Sequence, residues 1–171
     1  GQREDILQLT LADYRAASET LVSTFREVAE FLAERCILSL EQVPYSEQIV
    51  PLAVILARLA ESSGVLASQD ARDRLNQWFW SGVFGELYGS SAVKLRAARD
   101  VDEVTAWVAG ETDAIPKTVR DATFRESRLL SVGEHDGVWH GLYALLMARG
   151  AQDWRTGQPF NRRTFEELKP G

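Results

Sequence analysis

Apolar residues in this chain recur at intervals of three, four and seven, and nowhere in a sustained alternation of two. Leu11, Tyr14, Leu21, Phe25, Val28, Leu32 and Cys36 form one such series, which reads as a long amphipathic helix. A strand needs period two to bury one face, so this pattern excludes a sheet-based fold. No internal repeat and no low-complexity run is present, and a composition 45% hydrophobic and 26% charged rules out wholesale disorder.

The same reading continues along the chain. Residues 37–45 break the first helix and end in Pro44-Tyr45, after which Ser46 can cap a second helix with Pro51 near its first turn. Ile49, Leu52, Ile55, Leu56 and Leu59 supply its buried face, and Gly64 stops it. Ser68 opens a third helix with Asp70 in its first turn and Leu75, Trp78, Phe79, Val83 and Leu87 as its stripe. Gly82 and Gly85 each cost about 1 kcal/mol against Ala inside a helix, so a close neighbour is expected there. Gly89-Ser90-Ser91 ends this helix and begins the next. Asp100 with Glu103 makes a reciprocal capping pattern before Val101, Val104 and Trp107, and Gly110 closes that helix. Two more helices are expected over 117–131 and 135–149, the last with Val138, Trp139, Leu142, Leu145 and Leu146 as its stripe. A turn follows at Thr156-Gly157-Gln158-Pro159, and Asn161 can cap a short terminal helix. The expected fold is all-α, a single bundle of about six main helices plus that short C-terminal one.

With 171 residues, a chain of this kind can bury a self-sufficient core as one domain. Its charge is -6, with 25 acidic and 19 basic side chains. Phosphate-gripping domains carry a basic surplus, so tight unaided binding of DNA or RNA is not expected. The imbalance sits in residues 1–75, with 7 basic and 12 acidic side chains; residues 76–171 are nearly balanced at 12 and 13. The tail is locally basic, with Arg149, Arg155, Arg162, Arg163 and Lys169, and is the one place to look for weak phosphate contact. Cys36 is the single cysteine and reads as a small buried hydrophobe, which fits a reducing, cytoplasmic compartment. No run approaches the ~18 apolar residues of a membrane span, and no signal peptide is recognisable. Gly1 in place of Met suggests an excised segment of a longer protein, with 150–171 leading toward a further domain.

The search for chemistry finds no catalytic, metal or cofactor residues. His135 and His140 are five apart, not the four that stacks two ligands on one helical face. Glu27, Glu30 and Glu34 share a face but lack the Glu-x-x-His partners of a bundle metal site. Asp100, Asp102 and Glu103 read as helix-start residues. No nucleophile elbow or phosphate loop is present, and Gly82, Gly85 and Gly89 lie in a helical stripe with no strand before them. The five tryptophans are the unusual feature. Trp78 and Trp80 lie about 200° apart on one helix, so one joins the core while the other meets a second helix, a partner or a ligand. The candidate interaction surface is Trp78, Trp80, Tyr88, Trp154, Arg155, Arg162 and Arg163.

Pro44-Tyr45 and Pro51-Leu52, then Trp78-Phe79-Trp80 with Phe84, Tyr88 and Ser90-Ser91, resemble the central helical region of GmrSD-type restriction proteins. Leu145-Leu146 and Gly150-Ala151-Gln152-Asp153-Trp154-Arg155-Thr156-Gly157 resemble the stretch leading into that family's C-terminal nuclease. The resemblance spans about two-thirds of the chain. The family joins an N-terminal ParB-like nucleotide-hydrolysing domain, with an Asp-Gly-Gln-Arg type motif, to an HNH-type nuclease with a His-His-x-x-Pro motif. Neither motif occurs here, so no catalytic residue carries over. The resemblance implies a non-catalytic middle domain whose partners are the flanking domains of its parent, with a homo-oligomer open and DNA touched weakly through the basic tail. The alternative is a stand-alone ligand- or partner-binding module, such as a regulator's sensor domain, with an apolar cavity lined by Trp78 or Trp80, Trp107 and Trp139.

Overall fold

The structure, a computed structural model, describes residues 8, 10–62, 64–89 and 92–159. Among these, six α-helices form an all-α bundle: α1 Leu11–Ala33, α2 Ile49–Glu61, α3 Gln69–Phe84, α4 Val93–Val108, α5 Lys117–Asp121 and α6 Gly137–Ala148. Short 3-10 turns at Leu40–Gln42, Ser46–Gln48, Val65–Ala67 and Glu126–Leu130 connect them. The short terminal helix expected after Asn161 lies outside the described residues.

The centre is built by α3, which touches α4, α5 and α6, while α2 packs between α1 and α4. Leu52, Ile55, Leu56 and Leu59 from α2 meet Leu75, Trp78, Phe79 and Val83 from α3 and Val104, Trp107 and Val108 from α4. Spacings of three and four put each set on one helical face, as the sequence demands. Pro51 is tolerated because it is the third residue of α2, where its missing N–H has no partner inside the helix.

Two glycines mark the closest approaches onto α3. A Cβ on Gly82 would lie 2.5 Å from Nε2 of Gln48, which is buried and donates a hydrogen bond to the Phe79 carbonyl (3.2 Å). A Cβ on Gly141 would lie 2.6 Å from Cγ1 of Val83, so α6 sits on α3 through a glycine. Gly85 approaches the backbone at Ala122, its Cβ position being 3.1 Å from Cα.

Several boundaries differ from the periodicity. α1 stops at Ala33, and Cys36 adopts φ 59° beyond it, with Ile37 N–H donating to Leu32 C=O and Cys36 N–H to Ala33 C=O. This is the six-to-one, five-to-two closure that usually employs glycine, and it leaves Cys36 half-buried outside the helix. α3 ends the same way with Glu86 at φ 54°. Ser46 begins a 3-10 turn and Ser68 precedes α3, but neither side chain caps a helix. The helix expected over 117–131 breaks after Asp121, because 122–125 is held extended: Ala122 passes against Gly85, and the Phe124 ring meets Phe84 edge-on at 5.7 Å. On α6 the buried face is Gly137, Val138, Gly141, Ala144 and Met147, not the Trp139–Leu142–Leu145–Leu146 stripe. Small residues face α3 because the helices approach too closely for large ones.

Candidate functional site

The main correction concerns Asp100. α4 runs unbroken from Val93 to Val108, so Asp100 caps nothing; it lies mid-helix on the Val104–Trp107 face at 0% exposure. Removing a carboxylate from water is tolerable only when donors replace the water. Three do so. Trp78 Nε1–H donates at 2.9 Å, the Tyr88 hydroxyl at 2.5 Å and the Thr118 hydroxyl at 2.7 Å. Thr118 in turn accepts from Arg96 Nη1 at 3.1 Å, which brings a guanidinium to the rim of the cluster. Burial, then the Asp100 charge, pushes the Tyr88 hydroxyl far above its usual range, so it remains a donor. Trp78 and Tyr88 also meet edge-on, with centroids 6.3 Å apart.

This arrangement ties α3, the turn after it, α4 and α5 to one carboxylate. With no access to solvent it is a structural cluster, and Trp78 (0% exposed) and Tyr88 are interior residues. They cannot form the interaction surface expected of them. The other expected helix-start residues also point elsewhere: Glu103 accepts the Lys117 backbone N–H (2.7 Å) at the start of α5, and Asp102 pairs with Arg58 (2.7 Å).

Trp80 faces the other way on α3, as the 200° offset requires. It is half-buried, stacked on Phe84 at 5.6 Å and edge-on to Phe79 at 5.1 Å. Its partners are thus its own helix's aromatics, with Phe124 beyond them. The structure therefore brings Trp78 and Tyr88 together, holds Trp80 apart from them, and sets Trp154 and Arg155 on a separate hairpin.

That hairpin follows α6. Gly150 takes φ 81°, Ala151 N–H donates to Leu146 C=O, and an isolated antiparallel bridge joins Gln152 to Pro159. Asp153 fastens the turn by accepting the backbone N–H groups of Arg155 (2.8 Å) and Thr156 (3.0 Å), which hold its carboxyl below the usual range. Trp154 is 90% exposed, with the Arg155 guanidinium 5.9 Å from its ring centroid and 3.6 Å from Asp153 Oδ2. Arg162 and Arg163 lie outside the described residues.

α6, which leads into the hairpin, carries a surface that periodicity alone misassigned. α6 has no Asp, Glu, Lys or Arg in twelve residues. Opposite its buried face it carries Trp139, Tyr143 and Leu146 at helical spacing, with Trp139 and Tyr143 stacked at 5.4 Å and 7° and Leu146 exposed. His140 meets Trp139 edge-on, and burial lowers its pKa. Trp139 and Tyr143 are half-buried and Leu146 is exposed, so this side of an uncharged helix is only partly covered by the described residues. The useful signal was the missing charge, since a face meant for water would carry some.

Two hollows border α1. One of about 280 Å³ has Phe31, Leu56, Leu66 and Leu75 as apolar lining, with Glu27, Glu30, Glu34, Arg35 and Arg72 around it. The other, about 440 Å³, is a shallow groove between α1 and α2 floored by Ala53, Val54 and Ala57. Neither is lined by a tryptophan, and Trp78 and Trp107 are core residues, so neither hollow is the tryptophan-lined cavity of the sensor alternative. Among the described residues, no group of three or more His, Cys, Asp or Glu side chains could hold a metal ion, and no helix is long and apolar enough to cross a membrane. No protein-family model matches this chain, and neither does any curated protein or solved structure.

Proposed function

We propose that this chain is a non-catalytic helical connector domain of a modification-dependent restriction nuclease of the GmrSD type, acting in the cytoplasm. The ledge on α6 and the Trp154 hairpin receive a flanking domain. The observation that carries the reading is the uncharged α6, whose outward face holds half-buried Trp139 and Tyr143 and the exposed Leu146, and which is followed in the chain by a hairpin with an almost fully exposed tryptophan. Aromatic and leucine side chains left partly open on an uncharged helix are suited to anchoring a protein interface. The resemblance of 44–157 to the middle of such nucleases supplies the identity of the partner. DNA contact is secondary in this reading: Arg155 is already paired with Asp153, and the chain's net charge is -6.

Reading the gene on both sides of these 171 codons tests the assignment. A downstream His-His-x-x-Pro segment and an upstream Asp-Gly-Gln-Arg segment are the expected result. A start codon just before Gln2 with a stop after Gly171 would sink it.

A further inference from the structure

α1 behaves as two different helices. From Thr24 onward it buries Thr24, Val28, Phe31 and Leu32 against the bundle. Before Thr24 no described side chain is buried, and Leu11 (63% exposed), Tyr14 (59%), Leu21 and Val22 stand open, as does Phe25 one turn later. The end is nevertheless firmly begun. Thr10 and Asp13 form a reciprocal capping box, the Thr10 hydroxyl accepting from Asp13 N–H and the Asp13 carboxylate accepting from Thr10 N–H at 3.1 Å. A capped helical arm with an apolar stripe therefore extends past the part of the helix the bundle covers. Its stripe is turned about a quarter-turn round the helix from the Thr24–Val28–Phe31 face, so the bundle cannot cover it without rotating α1.

The geometry points to a second copy of this chain as the occupant, with two α1 arms paired antiparallel about a two-fold axis. Residues 11, 14, 18, 21 and 25 alternate steps of three and four, the seven-residue repeat by which two helices mesh along a seam; Val28 and Leu32 continue the spacing but are buried in the bundle, so the pairing is confined to the open arm. Centred between residues 18 and 21, the pairing sets Tyr14 of each copy against Phe25 of the other and Ser18 against Leu21. The positions flanking that seam on the open arm include Thr10 and Val22, with Arg15 as the charged exception, so identical helices approach without rows of like charge. The groove between α1 and α2 lies beside the same stretch, since Leu21 helps to line it. Such an interface is isologous and closes at two copies. It lies on α1 and α2 and does not depend on the reading given to α6.

Sedimentation equilibrium on the 171-residue chain tests this, alongside the double variant Leu11→Glu/Tyr14→Glu. Both substituted residues lie on the uncovered arm, and a thermal melt followed by circular dichroism checks that the bundle is intact. The expected result is a species of twice the 19.1 kDa chain mass, converted to the single mass by the double variant. A wild-type chain that stays at the single mass up to high micromolar concentration overturns the proposal, and so does a dimer that survives both substitutions. If the variant fails to fold, spin labels at position 12 of the wild-type dimer decide: antiparallel arms hold the two labels at opposite ends of the paired region, and labels found side by side refute the arrangement.

Discussion

Substituting Asp100 isolates the buried cluster from everything else in the bundle. Asp100→Ala leaves Trp78 Nε1–H, the Tyr88 hydroxyl and the Thr118 hydroxyl facing a space without an acceptor. An orphaned buried donor costs about 1–3 kcal/mol, and breaking a buried charged network from one side costs roughly 3–5 kcal/mol in total. Against a domain stability of about 5–15 kcal/mol, that loss brings the chain near unfolding. Asp100→Asn keeps the shape. Its oxygen at the Oδ2 position still accepts from Trp78 and Tyr88, and its amide can donate to Thr118, which already accepts from Arg96. The expected loss is about 1–2 kcal/mol, the difference between charged and neutral acceptors. Tyr88→Phe should cost about 1.5–3 kcal/mol in the wild-type background and less in the Asp100→Asn background, because the two residues share one interaction. Urea unfolding followed by tryptophan fluorescence and circular dichroism measures the wild type, the three single variants and the double variant. Equal losses for the Ala and Asn substitutions, or an Asp100→Ala loss below about 1 kcal/mol, would refute the reasoning.

Three further outcomes follow from the packing and the titrations. Gly141→Ala drives a methyl to 2.6 Å from Val83 Cγ1 and should cost about 1–3 kcal/mol, with part of the loss recovered when Val83→Ala makes room; urea midpoints read both. At φ 59°, Cys36→Gly should be more stable than Cys36→Ala by about 1 kcal/mol, because only glycine adopts that conformation without strain; equal midpoints would contradict this. Burial raises the hydroxyl pKa of Tyr45 from 10.0 to about 12 and that of Tyr88 further still. Above the unfolded value the unfolded chain releases these protons and the folded chain does not, so stability is intact below pH 10 and falls as pH rises through 10 to 12. Tyr88→Phe should flatten that slope in melts taken across the range.

The helical class and most of the core were legible because apolar spacing reports directly on which face meets neighbours. The helix ends show where that signal stops. Gly110 and Gly150 close α4 and α6 at positive φ, as glycines in those positions announce. Cys36 and Glu86 perform the same closure at α1 and α3 without a glycine. At Glu86 the anchoring is tertiary: its carboxylate holds Arg128 Nε and Nη2 at 2.8 and 3.1 Å, which also draws 126–130 out of the expected longer helix.

Asp100 was misread for a related reason. An acidic residue three before a glutamate looks the same in sequence whether it starts a helix or sits within one. Its place on the Val104–Trp107 face was the discriminating sign, since a carboxylate among core positions must find donors on other elements. Trp78 and Trp80 were rightly expected on opposite faces, but sequence spacing could not reveal that Phe79, Phe84 and Phe124 already surround the outward side. The stripe on the first half of α1 is continuous with that of the buried half, and nothing in the spacing separates the two. Spacing defines a face but does not say who covers it.

The most direct test of the connector reading is amide hydrogen exchange over 137–148 and 152–159, compared between the 171-residue chain and the longer gene product. A flanking domain seated on the α6 ledge predicts slowed exchange across both segments in the longer protein, with Trp139→Ala returning them to the rates of the isolated chain. Identical rates in the two proteins would contradict the account, because the ledge would then be left uncovered by the partner it is argued to receive.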